Sequence, residues 1–509
     1  MNTKPLLAFT LSTLFATTFC HAVPADLDDD GIPNNTETTA GLDPNNPADA
    51  LLDLDNDGWI NLDEFRFDTD INDNQVNPGN PEHFPRQAVF AADAEGDDEF
   101  GFSVAIDGNT AIIGAQQKDG AQNLMGAAYV FVKSGDYWVQ QQKLTASNGV
   151  QGQRFGQSVA ISGDTIIIGA ASGADSSMRS AYVFVRNNGL WSEQAILQWS
   201  TGWGAQFFGI SVDIDGDTAA IGSDDIADGK RSGTVHMFTR NGSTWTFQER
   251  VIPPTPQAGE KFGHSLSLDG DTLLVGAYQN DDQDTNAGTA YVYTRSGSAW
   301  SLQQQIFSSD SETNGDHFGF SVALSGNTAI IGAYRDDPAS NPDQGSAFVY
   351  TRTGNSWALQ QKLAASNAGT DNSQFFGYAV GLDGDRAIVG ATNIDNDFTP
   401  RRGAAYVFER TNNSWTEEHI MYSANDTVIP DSNGDEFASA VAISGSQLIV
   451  GDRSENDAMG TNNGSALFAD TEITSPTPST VSSLQVPAPI WSYLVMFALI
   501  AYIARSTKE

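Results

Sequence analysis

The feature that most limits what this chain can fold into is an internal repeat that begins at residue 100. Each copy opens on a phenylalanine followed by a small residue, and 53 to 61 residues separate successive copies. The pairs are Phe100-Gly101, Phe155-Gly156, Phe208-Gly209, Phe262-Gly263, Phe318-Gly319, Phe376-Gly377 and Phe437-Ala438. A glycine follows each phenylalanine by fourteen positions, at Gly114, Gly169, Gly222, Gly276, Gly332, Gly390 and Gly451. This constant spacing excludes insertions between the two points, so each copy is one structural unit.

Each copy predicts four antiparallel strands. In the first copy, Ser103–Ile106 alternates in hydrophobicity, Asp107-Gly108 forms a tight turn and Thr110–Gly114 is rich in β-branched residues, which together predict a hairpin. After a variable polar loop, Ala127–Val132 and Trp138–Leu144 predict a second pair of strands. Seven such units predict an all-β fold, a seven-bladed β-propeller of four-stranded antiparallel blades.

The last copy ends without a fourth strand. The missing strand is found ahead of the first copy, where Gln87–Asp93 resembles Gln142–Ser147 and likewise runs into a Phe-Gly pair. We therefore predict that Gln87–Asp93 closes the ring as the outer strand of the last blade, so that the propeller spans residues 87–469.

The Phe-Gly pairs, the Ile-Ile-Gly-Ala type of second strand and the seven-fold count resemble the FG-GAP repeats of integrin α-subunit propellers and of many bacterial surface proteins. The resemblance implies a binding protein of the cell surface. The copies depart from the family in two respects: none has proline after Gly-Ala, and a two-residue turn replaces the family's acidic calcium loop between the first two strands. Calcium at that position of the blades is therefore not expected. We interpret the acidic stretches Asn280–Asp284 and Arg335–Asp337 as solvated loop tips.

A different part of the chain predicts calcium binding. Between Asp26 and Asp73 there are fifteen acidic residues and one basic residue, Arg66. Two stretches match the twelve-residue calcium loop D-x-[DN]-x-[DN]-G-x5-E without a gap, and hard oxygen ligands at this spacing favour Ca²⁺. The candidate ligands are Asp26, Asp28, Asp30 and Glu37 in the first loop and Asp53, Asp55, Asp57 and Glu64 in the second. A solvated acidic turn is the alternative.

The flanks of these loops are unlike those of an EF-hand, since Val23-Pro24-Ala25 leaves no room for an entering helix. With the Asp/Asn-rich stretches that follow each loop, residues 23–80 resemble thrombospondin type 3 calcium repeats. The resemblance implies a small irregular segment at the N-terminus that calcium holds together. It adds Asp43, Asp68 and Asp70 as candidate ligands.

Both ends of the chain predict export. Residues 1–22 have a charged start, an apolar run and a small residue at the end, which is typical of a signal peptide. Its removal would take Cys20, the only cysteine, and with it any disulfide or thiolate site. A Ser/Thr/Pro-rich linker at 470–486 precedes a hydrophobic segment at 487–509, which resembles the C-terminal sorting signals of bacterial surface proteins. A plain membrane anchor is the alternative.

The charge balance excludes two classes of partner. The chain has 25 Lys plus Arg against 64 Asp plus Glu, a net charge of −39. Sequence-independent binding to nucleic acid needs clustered cations, and so does docking on anionic lipid. We expect no nucleic-acid partner, and contact with a membrane only through the C-terminal segment.

The sequence shows no catalytic constellation. The histidines after the predicted signal peptide are scattered, so we assign them structural or surface roles: His83, His236, His264, His317 and His419. Serines and tryptophans that recur at one repeat position serve the scaffold and the packing of blades: Ser103, Ser158, Ser211 and Ser321, and Trp138, Trp191, Trp245, Trp300, Trp357 and Trp415. Trp199 and Trp203 break the pattern, and either pack or form an exposed aromatic patch for carbohydrate or protein contact.

These observations favour a secreted or surface-anchored, calcium-binding, monomeric propeller that binds a protein or carbohydrate ligand at the cell surface in adhesion or macromolecular recognition. The alternatives are an extracellular hydrolase or lyase with a site on the propeller axis, and a structural component of the surface or matrix. An enzyme should show unique polar residues at matching axial positions of several blades, and the sequence alone shows no such set.

Overall fold

The structure is a computed structural model, and it describes residues 42, 86–120, 123–135, 137–172, 179–199, 207–309, 314–337, 343–367, 374–392, 403–422, 436–454 and 463–471. All of them except Leu42 belong to one compact unit. The predicted signal peptide, calcium loops and C-terminal segment lie outside the described residues, and so does the predicted linker except Asp470 and Thr471. Within the described part, no helix has the length and apolar character needed to cross a membrane.

The described residues form seven antiparallel four-stranded sheets, which are the predicted blades. The innermost strands are β2 (Phe100–Asp107), β6 (Ser158–Ser162), β10 (Val212–Asp215), β16 (Ser265–Asp269), β20 (Ser321–Ser325), β24 (Phe376–Asp383) and β28 (Phe437–Ser444). The second strands are β3 (Thr110–Ala115), β7 (Thr165–Ala170), β11 (Thr218–Ser223), β17 (Thr272–Ala277), β21 (Thr328–Ala333), β25 (Arg386–Ala391) and β29 (Gln447–Asp452).

The two outer layers complete each blade. The third strands are β4 (Ala127–Ser134), β8 (Ser180–Asn187), β14 (Thr234–Asn241), β18 (Thr289–Ser296), β22 (Ser346–Thr353), β26 (Ala404–Thr411) and β30 (Ser465–Asp470). The outermost strands are β5 (Tyr137–Leu144), β9 (Leu190–Leu197), β15 (Thr244–Val251), β19 (Ala299–Ile306), β23 (Ser356–Leu363), β27 (Ser414–Met421) and, for the last blade, β1 (Arg86–Val89). A small hairpin, β12 (Ile226–Ala227) and β13 (Lys230–Arg231), is inserted in the third blade.

The core lies between the blades. The second strands are almost completely buried because each blade is covered on both faces by its neighbours, which explains their continuous runs of Ile, Val, Leu and Ala. One cluster joins Ile112 and Val130 of the first blade to Ile168 and Phe184 of the second. Equivalent clusters join the other pairs, and the anchor phenylalanines lie inside them with at most 2 % of their surface exposed.

The ring is closed as predicted, by a strand from the other end of the repeat region. Strand β1 pairs antiparallel with β30, Gln87 opposite Phe468. The Gln87 amide donates to the Trp138 carbonyl at 2.8 Å, and the Trp138 N–H donates back to Gln87 Oε1 at 2.6 Å. Gln142 makes the same two bonds to Trp191 between the first and second blades. The paired strand ends at Val89 rather than at Asp93, because Ala91 to Ala94 forms a turn.

At one end of the blades, a complete circle of hydrogen bonds links the hairpin turns. Each turn glycine donates its N–H to an Asp or Ser side chain of the preceding blade. The pairs are Gly108 to Ser444, Gly163 to Asp107, Gly216 to Ser162, Gly270 to Asp215, Gly326 to Asp269, Gly384 to Ser325 and Gly445 to Asp383. The first and last blades are thus joined in the same way as the others, which closes the ring.

The glycine fourteen positions after each anchor phenylalanine is required by a close approach between neighbouring blades. A Cβ built on Gly276 would overlap the carbonyl oxygen of Gly319, which belongs to the next Phe-Gly pair. The Ser265 hydroxyl donates to that same carbonyl at 2.9 Å. The same bond recurs from Ser103, Ser158, Ser211 and Ser321. The scaffold role predicted for these serines is confirmed.

The recurring tryptophans pack between blades, as predicted. Trp191 is typical: its indole N–H donates to Gln141 at 3.0 Å, and the Arg186 guanidinium lies 5.0 Å from its ring. Arg186 also bonds Thr110 of the preceding blade at 2.8 Å and Asp164 at 2.6 Å. The same arrangement holds Trp245, Trp300, Trp357 and Trp415.

Candidate functional site

The candidate site lies on what we call the axial face, the end of the blades that carries the connections between second and third strands and between successive blades. Three positions per repeat gather there beside the innermost strands. The residues before the anchor phenylalanine are Glu99, Arg154, Phe207, Lys261, His317, Phe375 and Glu436. The residues two after it are Phe102, Gln157, Ile210, His264, Phe320, Tyr378 and Ser439. The residues after Gly-Ala, or its equivalent, are Gln116, Ala171, Asp224, Tyr278, Tyr334, Thr392 and Arg453.

A tight turn built on Phe-Gly sets the first two positions side by side. In the fourth blade, the His264 N–H donates to the Lys261 carbonyl at 3.1 Å, and Gly263 between them has a φ of 81°. A positive φ at the third residue of such a turn explains why glycine is needed there. The turn brings the Lys261 and His264 side chains to the same face.

Aromatic side chains from the fourth, fifth and sixth blades form a continuous cluster on this face, the aromatic arc. Its members are His264, Tyr278, His317, Phe320, Tyr334, Phe375 and Tyr378, and all are half-buried. The Phe320 ring centroid lies 4.9 Å from that of His264 and 4.5 Å from that of Tyr334. Tyr278 lies 4.6 Å from His264, and Tyr378 lies 4.9 Å from Phe320. The arc breaks the symmetry of the ring, because the first three blades place Gln, Ile, Ala and charged residues at most of these positions.

Both histidines of the arc are neutral near pH 7. Burial lowers the pKa of His264 to about 4, and burial together with the Arg335 charge lowers the pKa of His317 to about 4. His264 Nδ1 lies 3.3 Å from the Phe320 carbonyl oxygen, which can only accept, so Nδ1 carries the proton and Nε2 is an acceptor. His317 Nδ1 lies 3.0 Å from the Tyr334 hydroxyl.

Charged side chains complete the axial face on either side of the arc. Arg453 pairs with Glu436 and lies 5.4 Å from the Phe102 ring. Glu99 accepts from Gln116 at 2.6 Å and also from Gln117. The charge of Glu436 is compensated by Arg453, whereas the donors to Glu99 are neutral amides.

A cleft of ≈ 180 Å³ opens at the end of the arc, between the third and fourth blades. It is lined by Ile210, Ser223, Asp224, Lys261, Phe262, Gly263, His264 and Tyr278. Asp224 is 7 % exposed, and its Oδ2 lies 2.9 Å from Arg231 and 3.1 Å from Lys261. Its buried Oδ1 has no hydrogen-bond partner among the described residues. A buried carboxylate oxygen without a donor is costly unless water or a ligand satisfies it.

A larger depression of ≈ 390 Å³ lies at the opposite end, beside Asp271, Arg295, Gly326 and Arg352. Its arginines make the interblade bonds that recur in the other blades, such as Arg352 to Thr272 at 2.9 Å. The depression therefore follows from the scaffold and is not a unique site.

The calcium ligands predicted from the sequence lie outside the described residues, so their binding stays a prediction. Within the described ranges no three or more His, Cys, Asp or Glu side chains are grouped in a way that could hold a metal ion. The two-residue turns between first and second strands are present, and they carry no ligand set. The blades therefore do not fit the calcium sites of the family's longer loop.

The interpretation of the acidic blade loops as solvated tips is wrong for two of their residues. Asn280 is fully buried and donates to Glu260 at 2.8 Å, and Asp336 is 2 % exposed and pairs with Lys362 at 2.7 Å. Asn280 also accepts from the Asp282 N–H at 2.9 Å, and Asp336 also accepts from the Ser346 hydroxyl at 2.5 Å, so both side chains fold inward onto polar partners. Asp281 and Asp282 are exposed, as predicted.

The histidines and Trp199 have distinct roles. His236 is fully buried in β14, where five other repeats have Tyr or Phe and the last has Leu467, and burial lowers its pKa to about 3. Trp199 packs on His236 and Phe247, with ring centroids 4.8 and 4.5 Å apart, so it belongs to no exposed patch. His419 is half-buried in β27. His83 and Trp203 lie outside the described residues.

The sequence analysis missed the grouping of His264 and His317 with the tyrosines. Comparing each histidine only with the residues at the same repeat position hides its contacts with side chains of neighbouring blades. A signal was present: aromatic residues concentrate at the three axial positions of the fourth to sixth repeats. Likewise, Asp224 and Lys261 are unique polar residues of adjacent blades, the kind of set that the sequence alone did not reveal.

Comparison with known families supports the repeat assignment. The profile of the FG-GAP repeat matches seven segments, residues 86–131, 138–184, 191–238, 245–293, 300–350, 357–408 and 428–467. The first six begin in the outermost strand of one blade and end in the third strand of the next, so sequence repeat and blade are offset by one strand. No curated protein matches the chain at a significant level.

Proposed function

The chain belongs to the FG-GAP repeat family, and on that premise we propose that it is a secreted or surface-anchored binding protein whose axial face holds a protein or carbohydrate ligand. The aromatic arc carries this proposal. Half-buried aromatic residues supply large contact areas at low cost in side-chain entropy, and they are enriched where proteins bind partners. The scaffold does not require them, since other blades build the same turn with Gln157 or Ser439.

A binding experiment on the full chain tests this proposal. Binding to intact cells and to immobilised surface proteins and glycans would be measured by interferometry for the wild type and for Phe320→Ala and Tyr334→Ala. We expect at least a tenfold loss for both, because each removes the centre of the arc. Leu190→Ala is the matched control, since Leu190 is 69 % exposed at the opposite end of its blade. Equal binding by all four proteins would contradict an axial ligand site.

An extracellular hydrolase or lyase is the second candidate function. Lys261, Asp224 and His264 converge on one cleft, and axial clefts of propellers can carry chemistry. The test is to measure the release of reducing ends from a panel of polysaccharides. Release by the wild type that is lost in His264→Phe would favour an enzyme over a binding protein.

Calcium binding by residues 26–73 is the second part of the proposal, and the two gapless loop matches support it. Calorimetric titration of the full chain should show about two sites, with affinity no weaker than the millimolar range of extracellular modules. Replacing Asp55 and Asp57 by Ala should remove one site and the accompanying change in Trp59 fluorescence. Unfolding of the propeller should be the same in calcium and in chelator, because the blades have their own core. A titration without heat would leave these carboxylates as a solvated linker.

Export is proposed on the N-terminal pattern. N-terminal sequencing of the native product should give a start near Val23, and retention of Met1 would contradict it.

A further inference from the structure

The cleft between the third and fourth blades has a feature that a general binding face does not need, the unpartnered Oδ1 of Asp224. We propose that this cleft binds one neutral sugar ring of a carbohydrate, with Asp224 Oδ1 and His264 Nε2 as acceptors for ring hydroxyls. This inference rests on the proposed function and names the ligand class of one part of the axial face.

The charges around Asp224 select a neutral ligand. Arg231 and Lys261 both contact Oδ2, so the carboxylate charge is already compensated and a further cation would be repelled by two positive neighbours. An anion without a donor group would leave Oδ1 unsatisfied and would face the Asp224 carboxylate in a chain with a net charge of −39. Oδ1 still needs a donor, and an uncharged hydroxyl supplies one without changing the charge of the cleft.

The second acceptor comes from His264. Its Nδ1 proton points to the Phe320 carbonyl, so Nε2 is left with a lone pair. Because burial keeps the ring neutral, Nε2 stays an acceptor over the whole neutral range. Two acceptors from neighbouring blades suit a ligand with several hydroxyl donors on one ring.

The walls suit the apolar face of such a ring. Tyr278 and Ile210 are half-buried on the lining, and the Tyr278 ring meets His264 edge to face at an interplanar angle of 65°. The C–H groups of a pyranose can pack on these surfaces while its hydroxyls reach Asp224 and His264.

The size of the cleft agrees with one ring. Its ≈ 180 Å³ corresponds to about six water molecules at roughly 30 Å³ each. It is smaller than the pockets of roughly 300–1,000 Å³ that enclose drug-sized ligands. The cleft therefore holds a single residue of a glycan, and the rest of the chain would run over the aromatic arc.

Saturation-transfer NMR and calorimetry on the full chain test this proposal, with the methyl glycosides of glucose, galactose, mannose, fucose and N-acetylglucosamine as probes. We expect at least one to bind in the millimolar range, with the transfer strongest at its C–H protons. His264→Phe keeps the packing and removes the Nε2 acceptor, and Asp224→Asn removes the carboxylate. Each should weaken binding about tenfold, the loss expected for one hydrogen bond.

His419→Phe is the matched control, because His419 is also a half-buried histidine but lies in β27, outside the arc, and does not line the cleft. It should change the affinity by less than twofold. Circular dichroism and unfolding curves identify variants that misfold, and either single variant that folds is enough for the test. No binding by any glycoside, equal binding by His264→Phe, or binding of lysine amide in preference to sugars would overturn the proposal.

The outcomes separate this inference from the general function. If cells or surface proteins bind and Phe320→Ala abolishes that binding, while no methyl glycoside binds, the axial face is a protein-binding site and only the sugar inference fails. If the glycosides bind but Phe320→Ala has no effect on cell binding, the cleft acts without the arc.

Discussion

Closure of the ring by β1 can be tested with one side chain. Gln87 joins the outermost strands of the last and first blades through two hydrogen bonds to the backbone of Trp138, at 2.8 and 2.6 Å. Gln87→Ala removes both and leaves a half-buried N–H and carbonyl without these partners. Gln142→Ala removes the same two bonds, to Trp191, at an interface where the chain runs on continuously from one blade to the next.

The expected magnitudes follow from these contacts. Two hydrogen bonds at roughly 0.5–1.5 kcal/mol each predict a loss of about 1–3 kcal/mol in the free energy of unfolding for either variant. The two variants should differ in solution state. Strand β1 is held to β30 by four residue pairs, so weakening it exposes the β30 edge, which can pair with other molecules. Gln142→Ala exposes no such edge.

Urea unfolding followed by circular dichroism measures the stability, and the denaturant slope is compared with wild type to check that the transition remains comparable. Size-exclusion chromatography with light scattering measures the state of association. We expect similar losses of stability in both variants, and oligomers or aggregates only in Gln87→Ala. A stability of Gln87→Ala within about 0.5 kcal/mol of wild type, while Gln142→Ala is destabilised, would refute closure by β1.

Three further outcomes follow from the packing and the buried titratable groups. Gly276→Ala should lower the free energy of unfolding by about 1–3 kcal/mol, measured in urea, because its Cβ would overlap the backbone carbonyl of Gly319. An unchanged unfolding midpoint would contradict this close approach of the two blades. His264 has a folded pKa of about 4 against about 6.5 when unfolded, so stability should fall as the pH drops from 6.5 to 4, by about 1–3 kcal/mol, and His264→Phe should lessen that slope. Burial raises the pKa of Asp213 to about 7, although its carboxylate accepts from the Leu268 N–H at 2.6 Å. Its effect on stability has the opposite sign to that of His264, because stability is lost as the pH rises from about 4 to 7. Asp213→Asn should therefore be more stable than wild type above pH 7. If the stability of either variant changes with pH in the same way as that of the wild type, the pKa shift assigned to that residue is wrong.

The fold could be predicted from the sequence because each blade is specified locally and then repeated. The Asp-Gly turn, the β-branched second strand and the Phe-Gly pair each act within one repeat or on its immediate neighbour, so seven copies give the same answer independently. Closure was predictable for the same reason, since Gln87 stands where Gln142 stands one repeat later.

The site could not be predicted in the same way, because it arises between repeats. Asp224 and Lys261 are 37 positions apart, and the β12–β13 hairpin brings Arg231 to the same carboxylate. In the described parts of the other repeats that hairpin has no equivalent, so the repeat pattern carries no information about it. The inward orientation of Asn280 and Asp336 could not be predicted for a related reason. A polar residue that is buried with a partner and one that is solvated give the same sequence pattern.

The backbone of the axial face adds an independent reason to regard its side chains as selected for function. Glu99, Arg154, Phe207, Lys261, His317 and Phe375 all have left-handed backbones, with φ between 53° and 64°. For residues other than glycine this conformation costs roughly 1–2 kcal/mol. Glycine would remove the cost at each position, and the neighbouring Gly of the Phe-Gly pair shows that the chain uses glycine where only the turn matters. No repeat has glycine at the position before the anchor phenylalanine. Since the same turn is built around Glu, Arg, Lys, His and Phe, the scaffold does not specify these side chains, and the strain agrees with the binding role that we propose for the axial face.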